Sequence, residues 1–311
     1  EGGGGMALTS AAHEVNGGSL VAAFLEAYDF PSANAAELPQ AQLDDALVIA
    51  AAAGDASVVR RLLDSEANLD TRNSDAFDAN EFPLFRGLRV LHYASFRGHT
   101  DVVAMLLERR AAINACDNWA EVTPLMLASL NTSPAVSRLL IEHAADVDKT
   151  NTMGVSALAA AAGWGRAAIV RELLAAGARL KFWSLAFAAI GGGGGEVIRS
   201  LMESPSCRPD NANHMRWSSP LCAYMSIKAL PHRLFGSGGR GAMMAYHCFG
   251  ATPLHFAAIF GNLTEAQALL RGGARADVRN YRGATPADLA ATFGLPPRHV
   301  ELFRPETAGS T

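Results

Sequence analysis

Residues 250–261 read Gly-Ala-Thr-Pro-Leu-His-Phe-Ala-Ala-Ile-Phe-Gly, and Ala268-Leu-Leu-Arg-Gly-Gly-Ala274 follows a few residues later. Each residue type has a local task. Thr252 is a good N-cap, and Pro253 takes the first helical position, where a missing N–H leaves nothing unpaired. The small pair Ala257-Ala258 lets a neighbouring helix approach closely. Gly261, seven residues after Leu254, ends the helix in a left-handed conformation. The stretch therefore predicts a short helix, a tight turn and a second helix.

The same order of residues recurs along the chain. Thr123-Pro-Leu125 opens a unit with Ala128, Ser129 and Leu140-Ile141; Val90-Leu-His92 opens one with Ala94, Ser95, Gly98, Val102-Val103 and Leu106-Leu107. Ser156-Ala-Leu158 leads into Ala161-Ala162, Gly165 and Leu173-Leu174, Thr285-Pro-Ala287 starts a short last unit, and Leu47 starts a first one. Gly98, Gly165, Gly261 and Gly294 hold one position of the pattern. Val102-Val103 with Leu106-Leu107 makes the i, i+3, i+4 stripe of a second helix. Leading positions 91, 125 and 158 are spaced by 34 and 33 residues, and 221, 254 and 287 by 33 each. The gap of 63 between 158 and 221 is close to two periods and contains Leu185, while the gap of 44 from Leu47 to Leu91 is one period plus an 11-residue insertion. A single helix pair cannot bury its apolar face alone, so the units must stack.

The T-P-L-H-x-A core at this spacing resembles the ankyrin repeat family, over roughly residues 44–304. The resemblance implies an all-α solenoid of stacked helix-turn-helix units with irregular insertions. Eight units are expected: good ones near 45, 89, 123, 156, 252 and 285, and degenerate ones near 183 and 219. The domain plan is an N-terminal extension with a capping helix over 1–43 (the helix itself at 19–29), repeats over 44–202, an irregular or degenerate segment over 203–249, repeats over 250–304 and a tail over 305–311. His92 and His255 fall where the family uses His to brace a loop, so both are expected to be structural.

The family architecture also implies where a partner would bind. Inner helices line a concave face, reached by the residues five and six after each leading position, and finger loops extend it. The side chains expected to carry binding are Phe96, Arg97, Trp119, Leu130, Trp164, Phe249, Ile259, Phe260, Tyr281 and Arg282. Asn131, Gly163, Ile190, Gly191, Thr292 and Phe293 share the groove register, and Met153 and Cys248 share the finger register. Six repeats place a large apolar side chain where solvent-facing positions would ordinarily be polar, and exposed apolar patches mark interaction sites. The alternative is that insertions and the N-terminal segment cover the groove and make these residues core.

No catalytic, cofactor or metal-ligating residue is assigned. There is no G-x-S-x-G elbow and no kinase or hydrolase signature. Asp44-Asp45 sits at a helix start, where acids favour the dipole. Gly191–Gly195 lacks the Lys-Ser/Thr and the preceding strand of a phosphate loop, so it reads as a low-complexity expansion of a turn. Cys207, His214, Cys222, His232, His247 and Cys248 are zinc-ligand types at spacings that fit no finger or ribbon. The insertion Asn73–Arg86, with Phe77, Phe82 and Phe85, reads as an extended finger and a secondary candidate surface.

Composition narrows the rest. Twenty-six Lys and Arg against 30 Asp and Glu give a net charge of −4, which disfavours nucleic acid as a partner. No apolar run approaches the ~18–20 residues that span a bilayer, so no membrane insertion is expected. Four cysteines are too few for a disulfide scaffold and suit an intracellular location, cytoplasmic or nuclear. The chain opens on Glu1 with Met6 as its first methionine, as in a fragment or an upstream-extended frame. The function expected is that of a non-catalytic, monomeric interaction module or adaptor binding another protein. The alternatives are a regulatory or substrate-recruiting segment of a larger enzyme, or a zinc-stabilised variant using residues 203–250.

Overall fold

The computed structural model of the chain describes residues 39–72, 87–118, 120–205, 207–210 and 239–305. It divides into two compact units at Asn151 and Thr152. The first holds α1 (Gln40–Ala53), α2 (Ala56–Asp64), α3 (Val90–Arg97), α4 (Thr100–Glu108), α5 (Pro124–Ala128) and α6 (Ala135–Glu142). The second holds α7 (Ala157–Gly163), α8 (Ala167–Ala175), α9 (Phe182–Gly191), α10 (Glu196–Met202), α11 (Gly239–His247), α12 (Pro253–Phe260), α13 (Leu263–Arg271), α14 (Pro286–Thr292), α15 (Pro297–Val300) and a 3-10 turn at Glu301–Phe303. Among the described residues there is no strand, only an isolated bridge between Arg72 and Arg89. The capping helix expected at 19–29 and the finger at Asn73–Arg86 lie outside the described residues.

The helices begin and end where side-chain chemistry directs. Thr123 Oγ accepts from the Met126 N–H at 3.2 Å, and Ser156 Oγ from that of Ala159 at 3.3 Å. Thr285 and Asp288 cap each other reciprocally, the Thr285 N–H donating to the carboxylate at 2.8 Å and the Asp288 N–H to the hydroxyl at 3.2 Å. Those backbone and hydroxyl donors hold the Asp288 carboxyl below its usual range. Gly98, Gly165, Gly261 and Gly294 are all left-handed, with φ of 82°, 69°, 73° and 83°.

Within the first unit, α1, α3 and α5 pack side by side as inner helices, with α2, α4 and α6 behind them. Ala94 and Ala128 are buried at these contacts. In the second unit the inner row is α7, α9, α12 and α14, backed by α8, α10 and α13. At three of the steps a side chain crosses between layers to a carbonyl at the end of the preceding inner helix. His99 Nε2 pairs with Ala52 O at 3.1 Å, Asn131 Nδ2 donates to Ser95 O at 2.8 Å, and Asn262 Nδ2 donates to Ala189 O and Ile190 O at 2.8 and 2.9 Å. These carbonyls are among those a helix C-terminus leaves unpaired, so each link satisfies a buried acceptor while fixing the stacking register.

The Asn262 link corrects the expected repeat order. The unit at 183 stacks directly on the unit at 252, through α9 on α12 and α10 on α13, so the unit read near 219 is not a layer between them. The unit expected near 219 falls at 211–238, outside the described residues, and the two layers on either side of it in sequence are adjacent in the stack. Leu185 and Leu254, the leads of these adjacent layers, lie 69 residues apart, close to two periods, so sequence spacing alone cannot distinguish the two arrangements.

The glycine run also differs from the expectation. Gly192, Gly194 and Gly195 have φ of 67°, 78° and 77°. A Cβ on Gly191 would collide with Gly163 O, and one on Gly193 would lie 2.8 Å from Gly165 Cα. The run is therefore a backbone-to-backbone seam between the turns of two layers, not slack sequence. The buried Glu265 accepts the Gly194 N–H at 2.7 Å, so a carboxylate already occupies this loop amide. Gly191→Ala is expected to cost about 1–3 kcal/mol of unfolding free energy in urea titration, as an overpacked interior contact does.

The histidines brace the finger loops as expected. Each Nδ1 accepts a backbone N–H at the start of its own helix, from Arg89 at 3.2 Å for His92 and from Thr252 at 3.1 Å for His255. Each Nε2 faces carbonyls of the next finger: Ala115 O and Val122 O at 3.1 and 2.9 Å for His92, Ala284 O at 3.0 Å for His255. This arrangement requires the neutral ring protonated on Nε2. Burial pushes both rings down from the ordinary 6.5 to about 4. The unfolded chain thus takes up protons that the folded one refuses between pH 6.5 and about 4. Stability should accordingly hold above that window and fall within it, at up to about 1.4 kcal/mol per pH unit for each ring. Replacing both rings by Gln should flatten that dependence in melts across the window, and an unchanged slope would exclude the histidines as its source.

Candidate interaction surface

In the first unit, the fingers are tied by charge. Arg89 reaches Asp117 through Nε at 3.1 Å and Nη2 at 2.6 Å, and also pairs with Asp70, while Arg72 pairs with Asp117. The Arg89 guanidinium holds the Asp117 carboxyl below its usual range. Above these fingers, Phe96 and Leu130 are half-buried and Arg97 is exposed, its guanidinium carbon 5.9 Å from the Phe96 ring centroid. Trp119 lies outside the described residues.

The second unit carries the apolar part. Trp164, the C-cap residue of α7, is 45% exposed. Tyr281, at the tip of the last finger, is 62% exposed, and Met153 at another tip is 37% exposed. Phe260 and Phe249 are half-buried, and the Phe249 carbonyl accepts the Tyr281 N–H at 3.1 Å. Ile259 departs from the expectation: it is 4% exposed and belongs to the core. It sits on α12, which α9 flanks on one side and α14 on the other, and the packing between them encloses it. Arg282 is exposed but engaged, its guanidinium carbon 4.3 Å from the centroid of Tyr246.

Sequence reasoning missed two rings. Trp183 and Phe187 stack at 5.1 Å with planes 28° apart, one helical turn apart on α9. Gly163 makes room for them: a Cβ there would lie 3.1 Å from the Phe187 Cβ. The available signal was the glycine itself, at a groove position where a side chain was expected, opposite an aromatic two residues after Leu185. Together Trp164, Trp183, Phe187 and Phe260 line one unit with rings that offer area but no acid, base or nucleophile.

Of the zinc-ligand types, His214, Cys222 and His232 lie outside the described residues. Cys248 is buried with its thiol on Ala245 O at 3.1 Å, and the Cys207 sulfur is 3.3 Å from that of Met202. Among the described residues no three His, Cys, Asp or Glu side chains are placed to share a metal ion. Cys116, Cys207 and Cys248 are free thiols. No described helix is long and apolar enough to cross a membrane.

Comparison with known proteins places these features in context. The family described as "Ankyrin repeats (3 copies)" matches residues 8–117 and 91–182, and "Ankyrin repeat" matches 249–284. The chain is 38% identical to the mouse B-cell lymphoma 3 protein homolog over 113 residues, 36% of this chain and 25% of that protein. It is 28% identical to human SH3 and multiple ankyrin repeat domains protein 2 over 202 residues, 62% of this chain and 11% of that protein. The chain thus spans a quarter or less of the length of these relatives. The solved ankyrin repeat domain of human ASB11 superposes with a TM-score of 0.61 at 22% identity, covering 84% of this chain and 99% of that one. That likeness shows the fold, an all-α repeat solenoid.

The burial pattern sets a stability contrast. Ile259→Ala should cost about 2–5 kcal/mol, as a large-to-small change in a core does. Trp164→Ser should cost less, about 1–2 kcal/mol, because nearly half of its surface is already exposed and only the covered part is lost. Chemical denaturation of the two variants checks both.

Proposed function

The chain belongs to the ankyrin repeat family, and from that premise we propose that it is a non-catalytic interaction module that binds another protein through the groove and finger tips of its second unit. Ankyrin repeats serve as protein-interaction modules. The observation that carries the reading is the position of the exposed rings. Among the described residues, the large apolar side chains that stand exposed are Met153, Trp164 and Tyr281. All three fall on groove or finger-tip positions of that unit. Scattered surface hydrophobics would show no such preference. Trp and Tyr are also the side chains that most often anchor interfaces.

Trp164 and Tyr281 serve as anchors, Phe260 and Phe249 as the apolar floor between them, and Arg282 as a polar contact at the finger. In the first unit Phe96, Arg97 and Leu130 form a second, more polar surface. The protein acts intracellularly as a monomer, without cofactor, metal or nucleic acid. A second reading, a recruiting segment of a longer protein, is favoured by the relatives, of which the matched repeats make up a quarter or less.

A pull-down comparing the native chain with the Trp164→Ser, Tyr281→Ser double variant tests the surface. Both sites are exposed in part, so the variant should keep the native helicity and stay folded, with only a modest fall in melting temperature. Specific partners should bind the native chain and be lost from the variant. If an equally folded variant keeps every partner, the binding surface lies elsewhere.

A further inference from the structure

The groove position six residues after the lead changes character along the second unit in an unexpected sense. Trp164 is 45% exposed, Phe260 is half-buried, and Phe293 on the last repeat is only 8% exposed. Among the described residues no inner helix packs on the far side of α14, so the cover over Phe293 comes from elsewhere. The described ring against it is His247, with centroids 6.5 Å apart and planes 73° to each other, edge to face. His247 is the last residue of α11, a helix that lies in sequence between the two adjacent layers. One residue earlier, Tyr246 receives the Arg282 guanidinium on its face at 4.3 Å. The His247 carbonyl accepts from Asn280 Nδ2 at 3.0 Å. Three residues of the last finger and groove thus hold the end of one inserted helix. Ala242 and Ala245 of the same helix are buried at 6% and 1%.

We infer that α11 is an intramolecular occupant of the C-terminal end of the groove, with Tyr246 and His247 standing where the rings of an external ligand would stand. The inference rests on the groove reading above and adds its regulation: a partner that reaches the last finger must displace this helix. The occupant also defines the chemistry of what replaces it, a short helical segment ending in two adjacent rings, one stacked under a guanidinium and one set edge-on against a phenylalanine. Trp164, Phe260 and the Tyr281 ring are then open without displacement, whereas Arg282 and Phe293 are not.

Amide hydrogen exchange on the full chain tests the occupancy without any partner, so its failure is separable from failure of the binding proposal. Tyr246→Ala and Arg282→Ala should each speed exchange across 239–247 by about two- to fivefold, the size of one exposed cation–π contact. The double variant should add little to either. Amides of Pro253–Phe260 should keep their native protection. Unchanged exchange at 239–247, or equal loosening through 253–260, overturns the inference, because the helix would then be unheld by these contacts or an integral part of the core. A labelled synthetic peptide of residues 239–249 gives the second readout. It should bind the Tyr246→Ala chain several-fold more tightly than the native chain, whose groove is already filled. Equal binding to both, or binding to neither, counts against displacement.

Discussion

A helix pair of this size has one constraint it cannot escape: its apolar face is covered only by the next pair. Everything regular in this chain follows from meeting that constraint repeatedly. The alanines at the inner-helix contacts are small because backbones must approach closely. The left-handed glycines exist because the chain must reverse within a few residues. The cross-layer side chains at positions 99, 131 and 262 serve the same end, since close stacking covers the carbonyls they reach and each supplies a donor from the next layer. The two buried histidines do for the fingers what these side chains do for the helices. Their neutral rings bridge one helix start to the following loop, and they are tied to the fold strongly enough that protonation opposes folding.

Much of this was legible because it is local. An N-cap threonine, a proline at the first helical position and a glycine seven residues after the lead each act within one turn of their own residue, so a linear pattern reveals them. What the sequence did not reveal depends on neighbours brought together from far along the chain. The glycine run at 191–195 looks like slack until Gly163 and Gly165 are seen against it. Ile259 and Phe260 are adjacent and equally apolar, yet one is core and the other only half-buried, a distinction set by which helices flank α12. The order of layers is the sharpest case, because the 69 residues from Leu185 to Leu254 imitate two periods although the layers they lead are adjacent.

The candidate surface divides along the same line. Periodicity marked Trp164, Phe260, Tyr281 and Arg282 as facing outwards in register. It could not mark Trp183 and Phe187, whose stacking depends on a missing side chain at Gly163, nor Tyr246, which lies on α11 and outside any register. Tyr281 shows the fingers' share of the work: its ring lies against Gly250, where a Cβ would clash with it, so one finger holds the next finger's ring in place. An exposed aromatic fixed by a neighbour loses little rotamer freedom on binding, which is what an anchor requires.

Helix α11 then takes on a physical role. Among the described residues α14 has an inner-helix neighbour on one side only, so its layer is less supported than one between two others. Covering Phe293 with His247 and seating Tyr246 under Arg282 adds apolar contact at that layer. The same contacts hide the groove position that the array would otherwise present. Stability at the end of the stack and availability of that end to a ligand are therefore opposed through one helix. A ligand has to match the contacts of α11 before it gains anything, whereas one that binds only at Trp164 and Phe260 meets no such competition. The placement of an inserted helix, more than the repeat sequence itself, sets how much of the groove is open.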